Sequence, residues 1–177
     1  EMGKLVSKEY EQKLILNDSY EKTGILILSH GSRLDDGEEV IKAYTDMYRK
    51  EFPNVAVEYG FMQIRKPGIP ETINKLTEDN DLERIIVVPV FVAHGLHTKR
   101  DIPSLLGIES DFNEEDAQGH HHHHHHGHDH DHGHHHHHHH DDEEEGFEFD
   151  GEIILTDPLG IDTRLYEIIK DRISEHL

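Results

Sequence analysis

Gly24-Ile25-Leu26-Ile27-Leu28-Ser29 is an unbroken apolar run of strand length. A strand without polar alternation is buried on both faces, as in a parallel sheet covered by helices on each side. The run ends at Ser29-His30-Gly31-Ser32. Asp35 or Asp36 can then cap a helix in which Val40, Ile41, Tyr44, Met47 and Tyr48 recur at three- and four-residue steps before Pro53. The same order returns three times. Val55 to Phe61 reads as a strand, Pro67 to Pro70 as its loop and Glu71 to Thr77 as a helix. Arg84 to Phe91, the most apolar strand and therefore a central one, leads through His94-Gly95-Leu96-His97 to a short helix over Ile102 to Leu106. Glu152 to Thr156 reads as the fourth strand, Asp157-Pro158-Leu159-Gly160 as a turn, and Asp162 to His176 as a closing amphipathic helix. Four such units predict an α/β fold of three layers: a mostly parallel four-stranded sheet with helices on both faces.

Residues 24–177 make up this predicted domain, with residues 1–23 as an N-terminal extension. Leu5, Val6, Tyr10, Leu14 and Leu16 give the extension the spacing of a peripheral helix ahead of the Thr23-Gly24 break. Residues 109–151 interrupt the domain as an acidic, histidine-rich loop. From Glu109 to Glu152 there are 15 Asp and Glu, no Lys or Arg, and 17 of the 21 histidines; without this segment the formal charge changes from −21 to −6. The runs His120 to His126 and His134 to His140 flank His128-Asp129-His130-Asp131-His132. Such a tract has nothing with which to build a core, and the expectation is disorder. Its internal position, the Gly and Asp that interrupt it and the strand and helix that follow argue against an expression tag. Neutral imidazoles beside carboxylates offer exchanging sites for nickel, cobalt, copper or zinc, so the expected task is to collect metal ions.

Composition excludes several classes. With no cysteine there is neither a disulfide framework nor a thiolate metal site, and no apolar stretch approaches the ~20 residues of a bilayer span. Glu1-Met2-Gly3 opens no signal-peptide pattern. The net negative charge and the lack of a basic stripe argue against nucleic acid. A cytoplasmic protein with small cations as visitors, and neither membrane nor nucleic acid as partner, is the expectation.

In open parallel sheets, ligands bind in the crevice outside the carboxyl ends of the strands. To that edge the four predicted strands deliver His30, then Met62-Gln63, then His94 and His97, then Pro158-Leu159-Gly160. Imidazole at neutral pH is either a metal ligand or a proton acceptor, and two rings facing across a cleft can do both. A plainer reading has His30 only bonding its loop backbone, although Gly31 and Ser32 suggest a loop shaped around a ligand. His94 and His97 would share one side of a helical turn, but Gly95 argues against a regular helix, so one of them is expected to face the cleft.

Leu28-Ser29-His30-Gly31-Ser32-Arg33, together with the stretch from Val88 to Pro103 that includes His94-Gly95-Leu96-His97-Thr98-Lys99-Arg100-Asp101-Ile102-Pro103, resembles the class II chelatases. The likeness is to the short archaeal sirohydrochlorin cobalto- and nickelochelatases; it runs from Gly24 to about Ile108 and resumes from Ile153 to Leu177. Some short archaeal members also carry a histidine-rich insertion at this place. The resemblance implies a homodimeric lyase that inserts cobalt(II) or nickel(II) into sirohydrochlorin, in cobalamin or methanogenic nickel-tetrapyrrole biosynthesis, with the ion as substrate and no tightly bound cofactor. It also implies His30 and His97 as catalytic metal ligands, with His94 an adjacent feature of undefined role. One departure is Gln63, where the family often has an acidic residue.

Sirohydrochlorin is rich in carboxylates, so Arg33, Arg65, Lys66, Lys99 and Arg100 are candidates to steer it, each with ordinary solvated surface charge as the alternative. Ser32 and the backbone near Gly31 suit a carboxylate, and Gly160 suits close backbone approach. Met62, Gln63, His94, Gly95 and Pro158 complete the expected substrate contacts. Two other functions compete. One is a nickel or cobalt storage protein or metallochaperone in which the tract is the function. The other is a histidine phosphatase, suggested by Ser29-His30-Gly31 but lacking the arginine that signature needs.

Overall fold

Strand β1 (Thr23–Ser29) is buried along almost its whole length, as its unbroken apolar run requires. The computed structural model describes residues 21–112 and 146–177. The expected helix over Leu5 to Ser19 and the histidine tract lie outside the described residues. After β1 come α1 (Asp36–Glu51), β2 (Ala56–Phe61), α2 (Ile69–Glu78) and β3 (Arg84–Pro89). A π-helical turn (His97–Asp101) then runs into α3 (Ile102–Leu106), and β4 (Glu152–Leu155) and α4 (Thr163–Ser174) close the chain. The strands form one sheet in the order β2-β1-β3-β4, and every pairing is parallel. β3 is interior, as its hydrophobicity predicts.

Alternate residues of β1 feed two cores. Leu26 and Leu28 join Ile85 and Val87 of β3, Ile69, Ile73 and Leu76 of α2, and Ile102 and Leu106 of α3. Ile25 and Ile27 point the other way, to Ile41 of α1 and to Val57 and Phe61 of β2. At about 1.5–3 kcal/mol per fully buried aliphatic side chain, these two clusters hold helices to both faces. Along the outer edge of the sheet, Arg49 of α1 donates through Nε and Nη2 to the Val57 carbonyl at 3.0 and 2.6 Å, covering polar backbone that the β2 edge would otherwise present.

One expectation needs correction. Asp35 stands at the N-cap of α1 but makes no side-chain cap bond, because its carboxylate is taken by Arg65. The last helix falls where it was predicted, and no residue of α4 is buried. In β3 and β4, Ile86, Val88 and Ile154, which the register puts on the same face as Ile25 and Ile27, are only half-buried.

Candidate active site

Parallel pairing brings the loops after β1, β2, β3 and β4 to one edge. The first two are joined beyond the strand ends: Met62 N–H donates to Ser29 O at 2.9 Å and Gln63 N–H to His30 O at 3.2 Å. Gly31 takes a φ of +101°, and a Cβ there would lie 1.9 Å from the Gln63 carbonyl oxygen, so only glycine fits. This close approach sets the Gln63 amide 3.4 Å from His30 Nε2, while His30 Nδ1 lies 3.3 Å from Gly31 O. A carbonyl oxygen only accepts, so the proton belongs on Nδ1 and the Nε2 lone pair takes the Gln63 amide hydrogen. Ile64 follows with a φ of +69°, a strained conformation for a β-branched residue, and leaves its side chain exposed.

His97 opens the π-helical turn, in which Ile102 N–H donates to His97 O across five residues. Such wide turns are found mostly as single turns, frequently at functional sites. Four residues on, Asp101 meets the ring: His97 Nδ1 is 2.8 Å from Asp101 Oδ2, and Arg100 Nε donates to Asp101 Oδ1 at 2.7 Å. The Arg100 guanidinium first, and the His97 ring second, hold the Asp101 carboxyl below its ordinary range. The His30 and His97 rings stand edge to face with centroids 5.0 Å apart, and Phe91 packs beside His30 at 6.0 Å. That places two imidazoles side by side at the mouth of the cleft. Among the described residues, no group of three or more His, Cys, Asp or Glu is arranged to hold a metal. The pair therefore offers an incomplete ligand set.

His94 turns elsewhere. Its Nδ1 lies 3.2 Å from Thr98 Oγ1 and its Nε2 3.3 Å from Asp157 Oδ1, so it ties the β3 loop to the β4 loop. Leu159 and Gly160 complete that tie by donating their N–H groups to Phe91 O and Val92 O, both at 2.8 Å. Gly160 is required for its φ of +65° and not for close approach, since the nearest atom to a Cβ there, Pro158 O, is 3.8 Å away. Ser32 Oγ accepts Leu34 N–H at 3.1 Å. Arg65 is drawn inward: it donates to the Ser32 carbonyl and to the carboxylates of Asp35 and Glu38, with Asp35 first in raising its pKa. It clamps the His30 loop onto α1. Arg33, Lys99 and Arg100 are exposed near the cleft, as are Gln63 and Gly95, while Met62 and Pro158 are half-buried. Each of the four loops also exposes an apolar side chain, represented by Leu34, Ile64, Val92, Leu96, Leu159 and Ile161.

Comparison with known proteins agrees with this architecture. Residues 24–176 match the CbiX family. The chain is 51% identical over 153 residues to the sirohydrochlorin cobaltochelatase of Methanothermobacter thermautotrophicus, covering 86% of this chain and 92% of that one. It belongs to the CbiX family. Two solved structures share the fold. A CbiX protein from Marinobacter aquaeolei VT8 superposes with a TM-score of 0.53 at 20% identity, over 86% of this chain and 93% of its own. The sirohydrochlorin chelatase SirB from Bacillus subtilis subspecies spizizenii, solved with cobalt, gives 0.56 at 17% identity, over 87% of this chain and 50% of its own.

In this CbiX chain, sequence reading missed four residues at the cleft: Phe91, Thr98, Asp101 and Asp157. The four-residue step from His97 to Asp101 was a usable signal, because a helical turn puts such positions side by side. Asp157 had none, because its contact with His94 joins different loops.

Proposed function

We propose that this protein is a sirohydrochlorin cobaltochelatase or nickelochelatase, a lyase that inserts cobalt(II) or nickel(II) into the free-base ring. The observation that carries this reading is the His30–His97 pair, two rings 5.0 Å apart at the strand ends of a CbiX fold. Insertion strips water from the ion and removes two pyrrole N–H protons. Imidazole suits both tasks, accepting cobalt and nickel as a ligand and protons as a base. Two protein nitrogens bind the ion weakly enough to release it to four converging ring nitrogens, whereas a closed cage would retain it. The ion is substrate, and the reading needs no resident cofactor.

The apolar side chains of the four loops suit a flat macrocycle. Arg33, Lys99 and Arg100 suit its carboxylates; Ser32, Met62, Gln63, Gly95, Pro158 and Gly160 shape the walls, with His94 as a brace. A homodimer belongs to the same reading, since among the described residues α4 buries none of its side chains and Ile86, Val88 and Ile154 of the sheet are only half-buried. A cytoplasmic location belongs to the same reading; no helix among the described residues is long and apolar enough to cross a membrane.

The 17 clustered histidines favour a second role, a metal reservoir serving the cleft. Anaerobic incubation with sirohydrochlorin and either ion, followed by absorption, separates the two. Wild-type protein should metallate above the spontaneous rate, a His30→Ala/His97→Ala variant should not, and deletion of residues 119–140 should lower bound metal while preserving turnover at saturating ion. Normal metallation by the double variant would overturn the assignment of the pair. No acceleration by wild type with either ion would leave storage as the function.

A further inference from the structure

We infer that Asp101, held in place by Arg100, is a positioning residue that fixes the tautomer of His97 and so keeps its Nε2 lone pair facing the cleft. The inference rests on His97 being a metal-transfer ligand. A carboxylate only accepts, so the contact of 2.8 Å between His97 Nδ1 and Asp101 Oδ2 puts the ring proton on Nδ1. The other carboxylate oxygen, Oδ1, is occupied by Arg100 Nε at 2.7 Å. Arg100 therefore orients the carboxylate, the carboxylate orients the ring, and the π-helical turn holds all three on one backbone segment. Carboxylates behind ligating histidines act in this way at metal sites generally. His30 differs, because its Nδ1 meets the carbonyl of Gly31.

The arrangement makes a distinctive prediction about Asp101→Asn. Guanidinium only donates, so Arg100 will select the asparagine orientation that turns its amide oxygen toward Nε. The amide nitrogen then faces His97 Nδ1, and it too only donates. His97 must become an acceptor at Nδ1 and carry its proton on Nε2, where a metal would bind. Removing Arg100 frees the asparagine to flip and present its oxygen to the ring. Asp101→Ala leaves the ring free to take either tautomer, so it should do less harm than Asp101→Asn.

Kinetics in the full-length protein test this, with sirohydrochlorin saturating and cobalt varied. Asp101→Asn should raise KM for cobalt about 10–100-fold, Asp101→Ala should raise it less, and Asp101→Asn in an Arg100→Ala background should cost far less than in wild type. In parallel, imidazole nitrogen NMR, with His97 assigned by its loss in His97→Ala, should show Nδ1 and Nε2 exchanging protonation in Asp101→Asn. Thermal melting identifies any variant that fails to fold; if Asp101→Asn does so, the tautomer populations of Asp101→Ala, mixed where wild type has one form, decide the matter. Equal penalties in the two backgrounds, a worse Asp101→Ala, or an unchanged His97 tautomer would overturn the inference. If His97→Ala metallates normally while Asp101→Asn still moves the His97 proton, the ligand assignment has failed and the positioning geometry has not.

Discussion

Gly31 shows how one residue sets the site. Its positive φ and the 1.9 Å that would separate an added Cβ from the Gln63 carbonyl are independent objections to any side chain. A conformational penalty of about 1–3 kcal/mol follows from the dihedral alone, and the clash adds to it by pushing the β2 loop off the β1 loop. Because Gln63 N–H donates to His30 O in that contact, the displacement moves His30 directly. Gly31→Ala should therefore lower the melting temperature and reduce metallation together. Wild-type stability in a calorimetric scan would show that the loop has another conformation available.

Among the elements, the strands were legible because continuous apolar runs leave little choice, and their observed ends fall within one or two residues of expectation. At β3 the strand stops at Pro89, two residues before Phe91, whose ring lies beside that of His30. The strand-end rule brought His30 and the His94–His97 stretch to one edge, and it was the family resemblance that singled out His97. Which cations face outward was not legible: Arg65 lies inward only because Asp35 and Glu38 come within its reach when α1 folds back over the β1 loop. Helix α4 has a local start signal that sequence did supply. Asp162 Oδ1 accepts Arg164 N–H at 2.8 Å, and the same pair is salt-bridged at 2.7 Å. The Arg164 side chain, then its backbone N–H, holds the Asp162 carboxyl far below its ordinary range. With the folded pKa lowered, the stabilising contribution is full above the unfolded value of about 3.9 and is lost as pH falls from there toward the native value. Protection of the Arg164 amide, taken relative to its intrinsic exchange rate at each pH, should begin to fall below about pH 4 in wild type, whereas Asp162→Asn should show lower protection already at neutral pH and no such acid step. An acid step of equal size in both proteins would place the titrating group elsewhere.

At the scale of the whole molecule, α4 decides the quaternary prediction. Tyr166, Ile168, Ile169 and Ile173 are 57, 50, 56 and 57% exposed, an apolar face that an isolated helix has no reason to maintain in water. The sheet has a matching deficit where Ile86, Val88 and Ile154 are half-buried beside the α1-covered portion of the same face. On α1 itself, Val40, Tyr44 and Met47 are also exposed. Each aliphatic side chain that moves from water into an interface contributes about 1.5–3 kcal/mol before the cost of association. Two chains that lay α4 across each other's sheets would cover both deficits, and because α4 follows directly on the Pro158-Leu159-Gly160 loop, the exchange would place a second chain against the cleft. Sedimentation velocity should find a dimer whose melting temperature rises with concentration. Ile169→Asp/Ile173→Asp should sediment as a monomer and lose metallation with His30 and His97 intact. A double variant that remains dimeric would move the interface to another surface, and a monomeric variant with full turnover would show that one chain completes the site alone.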